Sequence, residues 1–169
     1  PVLTITGDNL TIDFGGAILR GNPNTNRPDS FVGLGILIKN GKNIHLKNLT
    51  IRGYKVALMA ENVEGLVLED LNLSYNYRPK LKSQRTRENI DDWLSFHQNE
   101  KDEWLNYGMA IYLKDCHKPI IRRVEAQNSF NGLMLMRVND GLIYNNNFSF
   151  NSGLGIGMYR SSRNRILHN

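Results

Sequence analysis

The chain has 169 residues, a formal net charge of +5 and one cysteine, Cys116. That length fits a single domain, and no composition break marks a linker. The positive balance suits an acidic partner, but without a long basic tract or an aromatic nucleic-acid signature the expected partner is an acidic glycan rather than nucleic acid. No disulfide can close within the chain, and no stretch reads as a membrane span.

In chain order, the first patterned segment runs Leu10-Thr11-Ile12-Asp13-Phe14-Gly15-Gly16-Ala17-Ile18-Leu19-Arg20-Gly21, a strand, a Gly-rich turn and a second strand; an irregular stretch from Asn22 to Ser30 follows. Beyond it, five aliphatic runs superpose: Gly35–Ile38, Ala57–Ala60, Ala110–Leu113, Gly132–Leu135 and Gly155–Met158. The steps Ile36 to Leu58 and Ile111 to Leu133 are 22 residues, Leu133 to Ile156 is 23, and Leu58 to Ile111 is 53. A fixed period near 22 with several short strands per repeat predicts an all-β solenoid, a single-stranded parallel β-helix. A second column holds Ile44, Leu66, Ile120, Leu142 and Ile166, and a third holds Leu49, Leu71, Val124 and Phe148. Alternation within each cluster has period 2, so neighbouring side chains face in and out by turns. Between the second and third clusters stand Asn48, Asp70, Arg123 and Asn147. Asparagine tolerates the left-handed conformation that a sharp bend needs, and 22 Asn in the chain fit turn building and stacked amide ladders.

The alternation stops after Asn76 and resumes at Gly108, so the long step is one coil carrying an inserted lid-like loop over residues 77–106. Arg78, Lys80, Lys82, Arg85 and Arg87 make a basic strip; Glu88, Asp91, Asp92, Glu100, Asp102 and Glu103 follow. Ile90, Trp93, Leu94, His97, Trp104 and Leu105 recur at helical spacing, which predicts one or two amphipathic helices over Glu88–Leu105, with Asn99 as a cap. Each of Leu37, Met59, Tyr112 and Met134 points outward if its neighbour in the first column points inward. Exposed residues of this kind need a cover, which Trp93, Leu94 and Trp104 can supply. The start at Pro1 and the stop at Ile166-Leu167-His168-Asn169 read as part of a longer solenoid.

The Leu10–Gly21 segment resembles the opening coils of the pectin-lyase-like superfamily, while Gly132–Leu135 and Asn145-Asn146-Asn147-Phe148-Ser149 resemble the right-handed parallel β-helix repeat. The resemblance covers nearly all of the chain outside the insertion and implies a right-handed coil. It also implies a secreted or periplasmic protein with a substrate groove along the first-strand sheet and its flanking loops. On that face the next outward row is Lys39, Glu61, Lys114, Met136 and Tyr159. Aromatic rings beside cations suit a sugar carboxylate. A uronate lyase needs a base beside the carboxylate and a cation for the enolate-like intermediate. Lys114 is the candidate base or electrostatic group, Tyr112 the acid or stacking ring and His97 a proton-transfer group. Arg137, Tyr159, Glu61 and Lys39 are the substrate-binding candidates. A hydrolase would pair Glu61 with Asp91, Asp92, Asp102 or Glu103. The motifs of polygalacturonases (paired Asp with His-Gly) and of pectate lyases (Arg-x-Pro-x-x-Arg and an acidic calcium cluster) are absent. Neither a cofactor nor a metal is assigned, calcium being an option without a motif. The expected activity is lyase-type β-elimination on an anionic polysaccharide. The alternatives are a noncatalytic glycan-binding, adhesion or periplasmic accessory solenoid, and a glycoside hydrolase. Cys116 is expected as a small semi-buried side chain in the turn after Leu113 rather than a nucleophile.

Overall fold

The computed structural model describes residues 1–92 and 98–169. Alternating aliphatics separated by left-handed turn residues wind the chain into stacked parallel strands. Two long ribbons, β1 (Leu3–Arg20) and β2 (Leu34–Arg52), run through their bends without a break. Beyond them the coils divide into β3 (Val56–Glu64), β4 (Val67–Asn72), β5 (Met109–Lys114) and β6 (Ile120–Glu125). The last coils hold β7 (Asn131–Met136), β8 (Leu142–Tyr144), β9 (Ile156–Tyr159) and β10 (Arg165–Leu167). Every pairing between strands is parallel. β2 pairs with β3 through its first half and with β4 through its second, so one curled sheet has two flanks, β3-β5-β7-β9 and β4-β6-β8-β10.

The first column stacks as Ile36–Leu58–Ile111–Leu133–Ile156, each residue opposite the next, and the first four are at most 1% exposed. Leu58 pairs directly with Ile111 across the 53-residue step, so β3 and β5 are neighbours despite the insertion. Fully burying each such side chain contributes about 1.5–3 kcal/mol. The second column departs from the sequence reading. Val67 pairs with Ile120 and Ile120 with Leu142, so the place beside Leu66 belongs to Pro119 and then to Gly141. The inward column is Leu46–Leu68–Ile121–Ile143–Ile166, while Ile120 and Leu142 face outward half-buried. A slip of one residue in a strand turns a side chain to the opposite face.

The bends carry the backbone cost of the coil. Non-glycine residues with positive φ occur in pairs three apart at the first bend: Asn40 and Asn43, Asp115 and Lys118, Arg137 and Asp140, Arg160 and Arg163. The second bend uses Asn48, Asp70, Arg123 and Asn145, the last in place of the expected Asn147. Each left-handed residue costs about 1–2 kcal/mol, and stacking between coils offsets it. In the early coils the ladder is amide to amide, with Asn62 Nδ2 donating to Asn40 Oδ1 at 3.0 Å and Asn43 Nδ2 to Asn9 Oδ1 at 2.9 Å. In later coils the first bend pairs Arg137 with Asp115 and Arg163 with Asp140, and the second bend pairs Arg123 with Asp70. Buried asparagines finish the unpaired backbone groups. The Asn76 amide donates to the Ile51 and Leu73 carbonyls and accepts from the Tyr54 N–H.

The insertion is not helical where it is described. It contains single 3₁₀ turns at Ile90–Asp92 and Glu103–Asn106 and, among the described residues, no α-helix. Side-chain bonds hold it open instead: the Asp92 carboxylate accepts from the Lys82 and Ser83 N–H groups, and Gln84 forms an antiparallel bridge with Arg87. Ile90 is 81% exposed and Trp104 3%, so the two do not share a helical face. Trp93, Leu94 and His97 lie outside the described residues.

Asn76→Ala leaves two carbonyls and one N–H without partners inside the coil. Chemical denaturation should show a loss of about 2–4 kcal/mol, whereas Asn62→Gly, which keeps an exposed left-handed corner (φ 56°) free of strain, should cost under about 1 kcal/mol. Equal losses from the two would contradict this account of the buried amides.

Candidate functional site

The pleat that sends Ile36, Leu58 and Ile111 inward sends Met59, Tyr112 and Met134 outward in register on the first flank. Left open, this row would be an apolar patch. It is covered by Trp104 from the insertion, which is 3% exposed and packs in one cluster with Val56, Met109, Tyr112, Met134 and Met136. The Trp104 ring meets Tyr112 and Tyr159 edge-on, each at 6.3 Å between centroids.

Polar contacts fix the same segment. Asn99, fully buried, accepts from the Trp104 N–H at 2.9 Å and donates to Tyr112 Oη at 2.7 Å. Asp102, itself left-handed with φ 58°, receives Tyr112 Oη at 2.8 Å on one oxygen and Lys114 Nζ at 2.7 Å on the other. Glu61 stands 3.3 Å from the same Lys114 nitrogen. Two residues before Asp102 in the chain, the Glu100 carboxylate accepts from Tyr159 Oη at 2.7 Å and pairs with Arg160 at 2.5 Å. Two carboxylates of the insertion are therefore each held by one cation and one tyrosine hydroxyl of the first flank and its adjoining bend.

Of the sequence candidates, Lys39, Glu61, Lys114 and Tyr159 stand in one row with Met136, each opposite the next. The Asp102 hydrogen bond, with Glu61 adding to it, holds the Lys114 ammonium above its ordinary range, so its nitrogen stays charged. Burial first, then Asp102, raises the Tyr112 hydroxyl, and its ring is fully covered. The hydrogen bond to Glu100 raises Tyr159. Arg137 belongs to the bend beyond the row and is paired with Asp115, whose carboxyl it lowers. His97 lies outside the described residues. Cys116 is 2% exposed, and burial pushes its thiol up to about 11, which leaves it inert. Asn99, Glu100 and Arg160 carry no site signal in the sequence, and Asp102 is expected there only as a hydrolase carboxylate. Among the described residues no three His, Cys, Asp or Glu side chains converge to hold a metal ion.

A second charged cluster lies on the outer face of the other flank. Glu69 accepts from both Arg122 and Arg123 and lies 2.7 Å from His45 Nε2; Arg122 also donates to Tyr144 Oη at 3.1 Å. Arg122 first, then Arg123 and His45, lower the Glu69 carboxyl to about 2. With Asp70 paired to Arg123, this cluster is internally neutralised and stitches four coils together.

The family model described as right handed beta helix region matches residues 34–169. The chain belongs to the right-handed β-helix family, in which parallel strands stack coil upon coil as they do here. No curated protein and no solved structure matches the chain.

Two outcomes follow from these charges. Because its folded pKa is depressed, Glu69 contributes stability that is full above its unfolded value of about 4.3 and is lost as pH falls toward about 2. Thermal melts of Glu69→Gln should show a flatter acid limb over that window, and an unchanged limb would refute the linkage. Asp102→Asn weakens two charge-assisted bonds, so amide exchange at the Trp104 N–H should accelerate roughly tenfold or more with the core amides unaffected.

Proposed function

We propose that this protein binds an anionic polysaccharide along its first flank, each sugar carboxylate being met by a cation and a tyrosine hydroxyl together. The observation that carries the reading is the pair of contacts made by Asp102 and Glu100. Lys114 with Tyr112, and Arg160 with Tyr159, already hold carboxylates in this way, and the insertion's acidic groups occupy the places that uronate groups would take. Polysaccharide binding then requires Asp102 and Glu100 to lift away. The raised Lys114 favours a charge-neutralising role over proton abstraction, so recognition without catalysis is the first reading. A secreted or periplasmic setting goes with a ligand of this kind.

Lyase-type β-elimination is the second reading, and the same contact supports it. One carboxylate lies between an ammonium and a phenol, the layout that an enolate-like intermediate needs. A glycosidase pair is less favoured, since Glu61 and Asp102 share Lys114 rather than flanking an open space.

The test is titration calorimetry with polygalacturonate and alginate, a neutral glucan as control, and absorbance of unsaturated uronate products followed in parallel. Binding should weaken steeply with salt. Lys114→Gln should lower affinity about tenfold, and Asp102→Asn should raise it by relieving the internal competitor. Failure of every polyuronate to bind would end the reading; product formation that survives Lys114→Gln would remove this lysine from any catalysis.

A further inference from the structure

The ribbons β1 and β2 close with the same three-residue pattern, Leu19-Arg20-Gly21 and Ile51-Arg52-Gly53, and Arg20 pairs with Arg52 in register. Strands in a sheet lie about 4.8 Å apart, so two guanidinium stems of like charge stand side by side, an arrangement that is destabilising when nothing answers it. Arg78, from the start of the insertion, joins them around a cavity of about 360 Å³ just past the ends of β1 and β2, the third bend of the coil. No carboxylate lines this cavity, and among the described residues none of the three arginines has an ion-pair partner. Of the nine other arginines, Arg27, Arg122, Arg123, Arg137, Arg160 and Arg163 are paired with acidic side chains.

A further observation points to a ligand. The Nε of Arg52 is shielded from solvent and makes no hydrogen bond; a buried charged donor of this kind is costly unless something accepts from it. Beside it, Tyr75 holds a left-handed backbone with φ 61° and leaves its side chain 62% exposed. The bend itself requires that conformation, since Gly53, Asn128 and Phe150 hold positive φ at the same corner of other coils. The hydrogen bonds from Tyr75 N to the Gln127 carbonyl and from Gly53 N to the Tyr75 carbonyl keep the bend in place. The ring is thus presented at the rim of the arginine cavity rather than packed into the core.

We infer that the third-bend cavity is a binding site for an oxyanion carried on a sugar ring, a uronate carboxylate or a sulfate ester. Arg20, Arg52 and Arg78 take the oxyanion, and the sugar face lies on Tyr75. The planar guanidinium fork meets two oxygens of a carboxylate or a sulfate at once, which an ammonium does not, and an aromatic face suits the apolar side of a pyranose. The assignment deepens the anionic-glycan reading by naming a subsite away from the first flank, and it rests on that reading for the sugar but not for the anion.

The test uses the whole chain with three probes: a uronate trisaccharide, a sulfated trisaccharide and inorganic sulfate. Affinity is read by calorimetry, and the Arg52 Nε–H resonance is followed by heteronuclear NMR. One or both trisaccharides should shift that resonance, the tighter of the two identifying the anion. The exposed-site double variant R20Q/R78Q should weaken binding at least roughly tenfold with an unchanged melting temperature. Arg52→Lys should weaken it while retaining the charge, and Tyr75→Ala should weaken the trisaccharide but not inorganic sulfate. Trisaccharide binding that survives R20Q/R78Q and is lost in Lys114→Gln would overturn the cavity and leave the first flank standing. Trisaccharide binding lost in R20Q/R78Q and kept in Lys114→Gln supports the cavity even if the first flank fails. Sulfate bound without either trisaccharide overturns the sugar assignment, and an Arg52 resonance that no probe shifts overturns the site.

Discussion

Everything in this molecule depends on returning the backbone to the same place after each coil. Parallel strands offer no tight hairpin, so every turn of the solenoid has to bend sharply at several corners and still deliver the next strand in register. The corners do this with left-handed residues stacked coil over coil, and the unfavourable backbone conformation is offset by bonds between like positions. The inward aliphatics make the core, but the corners decide which residues are inward.

That constraint also explains where the chemistry can be. A side chain on the outer face of a strand is fixed in direction by the pleat and in spacing by the stack, so Lys114, Tyr112 and Glu61 have little freedom to rearrange. The insertion is the element that changes their surroundings. It brings Trp104 over an apolar row and aims Asp102 and Glu100 at cations that would otherwise face solvent. A rigid ruler of outward groups is thereby combined with a cover built from a loop, and the cover carries the same charge as the ligand class proposed for the ruler.

The first column and its outward row were readable because aliphatic residues hold the position in every coil. The second column was readable only to within one place. Pro119 and Gly141 occupy the positions beside Leu66, and the adjacent Ile120 and Leu142 mimic the pattern on the wrong face. Three consecutive asparagines hid the second bend of a late coil. Asn145 takes the left-handed corner, Asn146 bonds the Ile121 carbonyl from inside and Asn147 accepts from Ser149 N, three tasks that composition does not separate. The insertion failed as a helix because Asn99, Asp92 and Asp102 spend their side chains on backbone and first-flank partners, contacts that no local period encodes. The Arg-Gly endings of β1 and β2 carry no signal in the sequence, because a two-residue match gains weight only when the fold sets Arg20 beside Arg52 without a carboxylate.

The change of corner chemistry along the solenoid has a consequence for assembly of the coils. An asparagine corner is self-complementary, so an amide rung can dock on the coil above or below with no preference for which one it is. An Asp-over-Arg corner is addressed: Asp115 accepts Arg137 and Asp140 accepts Arg163, and a last coil docked one full repeat early would set Arg163 against Lys118 in place of Asp140. The late coils, whose aliphatic columns are nearly interchangeable, thus carry ionic labels that bar a stack from closing one rung out of step.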